Sequence, residues 1–162
     1  MSAEKPSIPT PAFSLGVAGL IPFIACSLLV WVQLPLEQWL PVEIVQQRGS
    51  KELATLALGA YAAVILSFLG GVRWGNLLFD HASLRSWLPL TLSILPSLVA
   101  WPSLLLTPVP MFLILGAGLV LQYALDIMAG KRGELPPWYL RLRLILTSGA
   151  VLSLLLGLLG NI

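Results

Sequence analysis

Arg73, Trp74, Asn76, Gln122, Asp126, Arg141 and Arg143 stand in stretches otherwise fit for lipid, and their chemistry is the first thing to explain. Gln122 and Asp126 are four residues apart and share a helical face, while Arg73 and Asn76 are three apart on another segment. Asp126 is the most demanding of the set. Its side chain is short, so about one turn inside the hydrocarbon boundary it needs a cationic partner, a hydrogen bond or a proton. Arg73, Arg141 and Arg143 are the cations in reach. Arg73 is the leading partner, because Arg143 would have to turn inward from the start of its helix. Arg73 also has a plainer reading: about 30 Å along a helix from Leu53, it lies near the opposite boundary, where its long side chain can snorkel to phosphates.

Catalysis finds little support. His81 is the single histidine, set beside Asp80 in a polar turn without Cys, His or Glu at ligand spacing, and reads as solvated rather than metal-binding. Ser67, Ser97 and Ser148 share no helical face with a histidine, and GxSxG, HExxH and GxxxxGK[ST] do not occur. No catalytic residue, cofactor or metal site is assigned.

The elements that position these residues follow from composition. The chain is 57% hydrophobic and 10% charged, with a mean hydropathy of +0.91, outside the soluble globular range. Runs of roughly 20 apolar residues predict an all-α polytopic membrane protein, since a barrel needs short alternating segments. The expected fold is a bundle of five transmembrane helices, at about 13–32, 53–79, 87–106, 111–128 and 140–160, in one domain (13–162) after a disordered, proline-bearing tail (1–12). Phe23-Ile24-Ala25-Cys26 faintly resembles a lipoprotein cleavage box, but the apolar run continues through SLLVWV, so the segment reads as a retained anchor. The lone Cys26 allows no internal disulfide.

Between the first two spans, Gln33 to Lys51 mixes Glu37, Glu43 and Arg48 with Trp39, Leu40 and Ile44. It reads equally as a surface helix starting near Pro41 or as a plain loop. Pro96 should kink the third span and Pro22 the first. Thr107 to Pro110 leaves room only for a turn, and Pro136-Pro137-Trp138-Tyr139 starts the last span with an interfacial aromatic pair.

Gly59, Ala63, Ser67, Gly71 and Gly75 recur every four residues, and small residues at that spacing let helix backbones approach closely in a bilayer. Each step advances about 40° around the helix, so the stripe slants. Gly149, Ser153 and Gly157 form a second stripe on an antiparallel span, which predicts contact between the two: Gly71 near Gly149 and Gly59 near Gly157. A homodimer through the first stripe is the alternative.

Five spans put Lys5, Arg73, Arg85, Lys131, Arg132, Arg141 and Arg143 on one face and only Arg48 and Lys51 on the other. By the positive-inside rule the amino terminus is cytoplasmic and the carboxyl terminus periplasmic. In a mitochondrial inner membrane the equivalent side is the matrix. The basic residues sit at helix ends and are not interleaved with aromatics, so nucleic acid is excluded as a partner. Membrane lipids, other membrane proteins or a second copy of the chain remain.

At YAAVILSFLGGVRWG, LQYALDIMAG and LPPWYLRLRLILTSGAVLSL the sequence resembles a bacterial membrane family, domain of unknown function 3429. In the same segments it is similar to the mitochondrial transmembrane protein 69 group. The resemblance covers Gly16 to about Leu156, and FLGGVRWG and WYLRLR are its most specific pieces. It implies a small multi-pass inner-membrane protein and brings no activity, cofactor or catalytic residue. The leading functional reading is a non-enzymatic structural, assembly or interaction protein. A small-solute or ion transporter is the alternative, and a lipid- or quinone-modifying enzyme ranks lower.

Overall fold

The computed structural model describes residues 8–32, 42–79 and 86–162, with the backbone alone for 42–48. Among the described residues every regular element is an α-helix: α1 (Thr10–Ala18), α2 (Ile21–Trp31), α3 (Val42–Leu77), α4 (Trp87–Ser103), α5 (Pro108–Lys131) and α6 (Pro137–Leu159). Four stretches are long and apolar enough to cross a membrane: Thr10–Trp31, Gly49–Leu77, Pro108–Lys131 and Pro137–Leu159. The helix in the expected third span, α4, has 17 residues, or about 26 Å, short of a hydrocarbon core of about 30 Å. Pro96 and Pro102 withhold two backbone donors there. Beyond Ser103 the chain tightens into bonds of the i to i−3 type at Leu104, Leu105 and Leu106.

Helix α1 begins at Thr10, inside the stretch expected as tail, and Pro11 fits its first turn without loss; the tail's residues 1–7 lie outside the described residues. The kink expected at Pro22 falls just before it, between α1 and α2, because proline is tolerated in a first turn and not within a helix. The Gly19 carbonyl at this break accepts a hydrogen bond from the Tyr61 hydroxyl at 2.9 Å. The Tyr61 ring also meets Phe23 edge-on, with centroids 5.0 Å apart. One side chain of α3 therefore holds both sides of the break.

Gly49 divides α3. Its φ of 74° is left-handed, a conformation open to glycine, so a short helical segment from Val42 ends there and the crossing helix starts anew. Trp39 and Pro41, which the surface-helix reading used, and the polar turn with Asp80, His81 and Arg85 lie outside the described residues.

Helix α3 touches α2, α4, α5 and α6, which makes it the hub of the bundle. Its buried line is Ala54, Leu58, Ala62, Leu66 and Gly70. That line lies one residue before the small-residue stripe, about 100° around the helix. The expected stripe-on-stripe seam is accordingly absent. Gly59 is buried against Met111 of α5, and Ala63 is buried, but Ser67 is half-buried, while Gly71 and Gly75 face open space. On α6, Gly149 packs on Leu20 rather than near Gly71. Gly157 does receive Leu58, the neighbour of Gly59, together with Phe112. Ser153 is buried and donates to the Gly149 carbonyl.

The centre is filled by Phe23, Leu58, Leu66, Leu115, Leu119 and Leu154. Outward, Leu15, Leu98, Trp101, Leu105 and Leu152 are exposed. Water would not tolerate so broad an apolar surface, and lipid does. Polar ties close one end of the bundle. Trp31 Nε1 donates to the Leu156 carbonyl at 3.0 Å, and Asn161 Nδ2 donates to Thr55 Oγ1 at 3.0 Å and to the Gly157 carbonyl at 2.8 Å.

Candidate functional site: a carboxylate between two arginines

At the opposite end, helices α3, α5 and α6 each contribute to one ion-paired cluster. Arg73 Nη2 lies 3.2 Å from Asp126 Oδ1, and Arg143 Nε lies 2.8 Å from Asp126 Oδ2. Arg73 Nη2 also reaches Gln122 Oε1 at 3.5 Å, the limit of a hydrogen bond. The order of partners differs from the sequence expectation. Arg143 makes the shorter contact and is the more buried, its side chain 7% exposed against 20% for Arg73.

Local chain geometry explains who joins. Short connection after α5, from Arg132 to Pro136, folds α6 back along it, so Asp126 and Arg143 come to matching depths on the two arms of a hairpin. Arg141 is two residues from Arg143 and so points to the other side of α6; it is exposed and outside the cluster. Trp74 is exposed in the same way beside Arg73, whereas Asn76, one turn on, faces the same region as Arg73. The cluster thus gathers Arg73, Gln122, Asp126 and Arg143, with Asn76 at its edge, and leaves out Trp74 and Arg141.

A cavity of about 840 Å³ opens beside it. Arg73, Asn76, Gln122, Asp126 and Tyr139 supply its polar wall, and Leu69, Val72, Leu88, Leu92 and Leu125 are among its apolar residues. Arg132 and Glu134 form an exposed ion pair within the same lining. Glu134, by hydrogen bond and by charge, raises the affinity of the Arg132 guanidinium for its proton above the ordinary arginine range. Burial leaves three polar atoms near the cluster without a hydrogen-bond partner among the described residues: Arg73 Nε, Arg143 Nη2 and Thr147 Oγ1. Thr147 lies one turn along α6 from Arg143. Orphaned donors of this kind are rare in folded proteins, because an unmet buried N–H carries its full desolvation cost.

Sequence reasoning passed over two features of this end. Gly70, not Gly71, is where α3 and α4 meet: a methyl group there would collide with the Ser93 carbonyl and touch Pro96. Gly130 likewise admits Leu140 at the root of the α5–α6 hairpin. The doublet Gly70-Gly71 was visible, but spacing could not say which member faced inward.

Fold and site together define a multi-pass helical membrane protein with an ion-paired polar layer at one end of its bundle. The chain belongs to the family described as protein of unknown function DUF3429, which it matches over residues 8–159. It is 39% identical over 158 residues to transmembrane protein 69 of Xenopus tropicalis, covering 94% of this chain and 55% of that protein. To transmembrane protein 69 of Mus musculus it is 31% identical over 150 residues, covering 90% of this chain and 54% of that protein. The chain therefore spans about half the length of the curated relatives it matches. No solved structure matches it.

Proposed function

We propose that the protein is a non-enzymatic interaction protein of the inner membrane that holds an amphipathic membrane component in the cavity at its charged end. The observation that carries this reading is the pairing of apolar and ionised walls around one space of about 840 Å³. That volume is within the range of sites for small ligands, and the mixed lining suits a molecule with an apolar body and a polar head. The close-packed centre at Leu58, Leu66, Leu115 and Leu119 gives less support to the transporter alternative, which needs a path through the bundle.

The same reading takes α4 as a fifth crossing. Its first turn lines the cavity beside Arg73, and Leu104 just past its end meets Gly59, so it runs alongside the Gly59 to Arg73 part of α3. Basic residues at the cavity end support an orientation with that end in the cytoplasm and Asn161 on the periplasmic side of a bacterial inner membrane, or on the matrix and intermembrane sides in a mitochondrion.

Native mass spectrometry of the full chain, purified in a mild detergent, tests the reading. A stoichiometric amphipathic component retained by the wild type and lost in Leu88→Trp, which crowds the cavity mouth, is expected. Equal retention by both proteins, or none by either, would refute it.

A further inference from the structure

Charge and hydrogen-bond accounting at the cluster specify the ligand further, and the inference rests on the cavity reading above. Arg73 and Arg143 bring two positive charges to one carboxylate, and each oxygen of Asp126 is already engaged, Oδ1 by Arg73 and Oδ2 by Arg143. Among the described residues one positive charge is left over in the Arg73–Asp126–Arg143 group, at a site largely removed from water. Guanidinium groups present several donors in a fixed plane, and one used on Asp126 leaves others free. Arg73 lines the cavity with a side chain that is 20% exposed, and its buried Nε has no hydrogen-bond partner among the described residues, so its donors are not all spent on Asp126. Arg143 is not part of the lining; it anchors Asp126 from behind, so Asp126 cannot neutralise Arg73 fully. Beside Arg73, Asn76 and Tyr139 bring an amide and a phenol to the same wall, groups that donate to an oxyanion.

We propose that the cavity is a site for an anionic phospholipid, with the phosphate of the head group bound by Arg73 and its acyl chains leaving along Leu69, Val72, Leu88 and Leu92. Phosphate fits the surplus charge and the planar donors. A free phosphate ion accounts for the charge but not for the apolar walls, nor for a volume of about 840 Å³. Arg143 is a positioning residue in this scheme: it fixes Asp126, which in turn orients the Arg73 guanidinium.

Delipidated full-length protein titrated with phosphatidylglycerol and with phosphatidylcholine, read by native mass spectrometry, tests the assignment. Phosphatidylglycerol is expected to bind at least tenfold more tightly. Arg73→Gln should erase that preference, since Asp126 keeps Arg143 and the fold keeps a neutral pair. Arg141→Gln, which removes an exposed charge outside the cluster at the same end, should leave it intact. If Arg141→Gln reduces the preference as much as Arg73→Gln, attraction is diffuse surface charge and the assignment fails. Displacement of the lipid by millimolar inorganic phosphate would overturn the lipid as occupant in favour of a free anion. If both lipids bind equally and Leu88→Trp abolishes both, the cavity reading stands and the phosphate assignment falls.

Discussion

Removing the carboxylate of Asp126 strands two arginines at once, and the cost of doing so can be ordered from the geometry. Truncating one partner of a buried ion pair costs roughly 3–5 kcal/mol, because the other charge stays desolvated. Asp126 is 14% exposed, so Asp126→Ala should fall near the lower end, about 3 kcal/mol. Arg143→Ala leaves Asp126 with Arg73 and should cost about 2 kcal/mol, and Arg73→Ala, at a 20% exposed residue with the longer contact, about 1 kcal/mol. The informative quantity is the coupling in a double-mutant cycle. Arg143 and Asp126, 2.8 Å apart, should couple by about 2 kcal/mol, and Arg73 and Asp126, 3.2 Å apart, by about 1 kcal/mol. Reversible unfolding in mixed micelles, with secondary structure monitored to confirm that each variant folds, supplies all the free energies. A coupling to Arg143 smaller than that to Arg73, or below about 0.5 kcal/mol for both, would show that the carboxylate is not held as described.

Neighbouring glycines on α3 give a second test: Gly70→Ala forces a methyl group onto the Ser93 carbonyl and should destabilise by about 1–3 kcal/mol. Gly71→Ala, into open space, should be neutral or stabilise by up to about 1 kcal/mol through helix propensity, and thermal unfolding of the two side by side decides. Tyr61→Phe keeps the ring against Phe23 but orphans the Gly19 carbonyl, so a loss of about 1–2 kcal/mol is expected, and no loss would mean that the break is satisfied otherwise. For topology, a reporter active only outside the cytoplasm should signal after Ile162 and stay silent after Gly133. The reverse would overturn either the orientation or the crossing by α4, and signal at both sites would mean that α6 does not cross and would sink the five-span count.

Composition made the helical membrane class legible, because no other solution satisfies backbone polar groups in lipid along runs of that length. The candidate cluster was legible to the extent that spacing on one helix decides a face: Gln122 with Asp126, and Arg73 with Asn76. What spacing cannot supply is rotation. Arg141 and Arg143 are equivalent in composition, and only the short connection from α5 to α6 decides that Arg143 turns inward and Arg141 outward. A closer reading of the hairpin held that signal, since Asp126 and Arg143 flank the Arg132 to Pro136 turn at matching depth. The small-residue stripe misled for the same reason. Ala54, Leu58, Ala62, Leu66 and Gly70 repeat with the same period as the stripe, and leucines and glycine on that line meet α4, α5 and α6 through paired notches such as Leu66 in Gly118 and Leu58 in Gly157. Close approach here is achieved by a large residue entering a gap on its neighbour, a complementarity between chain segments that one segment's sequence does not display.

The tie from Trp31 to the Leu156 carbonyl joins residues 125 positions apart. At a synthesis rate of about 5–20 residues per second, α2 waits in the membrane for roughly 6–25 s before α6 can be delivered to it. During that interval the buried Phe23 of α2 has α3 for company, through Tyr61, but the side reserved for α6 faces lipid or whatever attends insertion. Synthesis thus makes α2 and α3 available to each other before the α5–α6 hairpin exists, and α6 then has to engage helices made well before it.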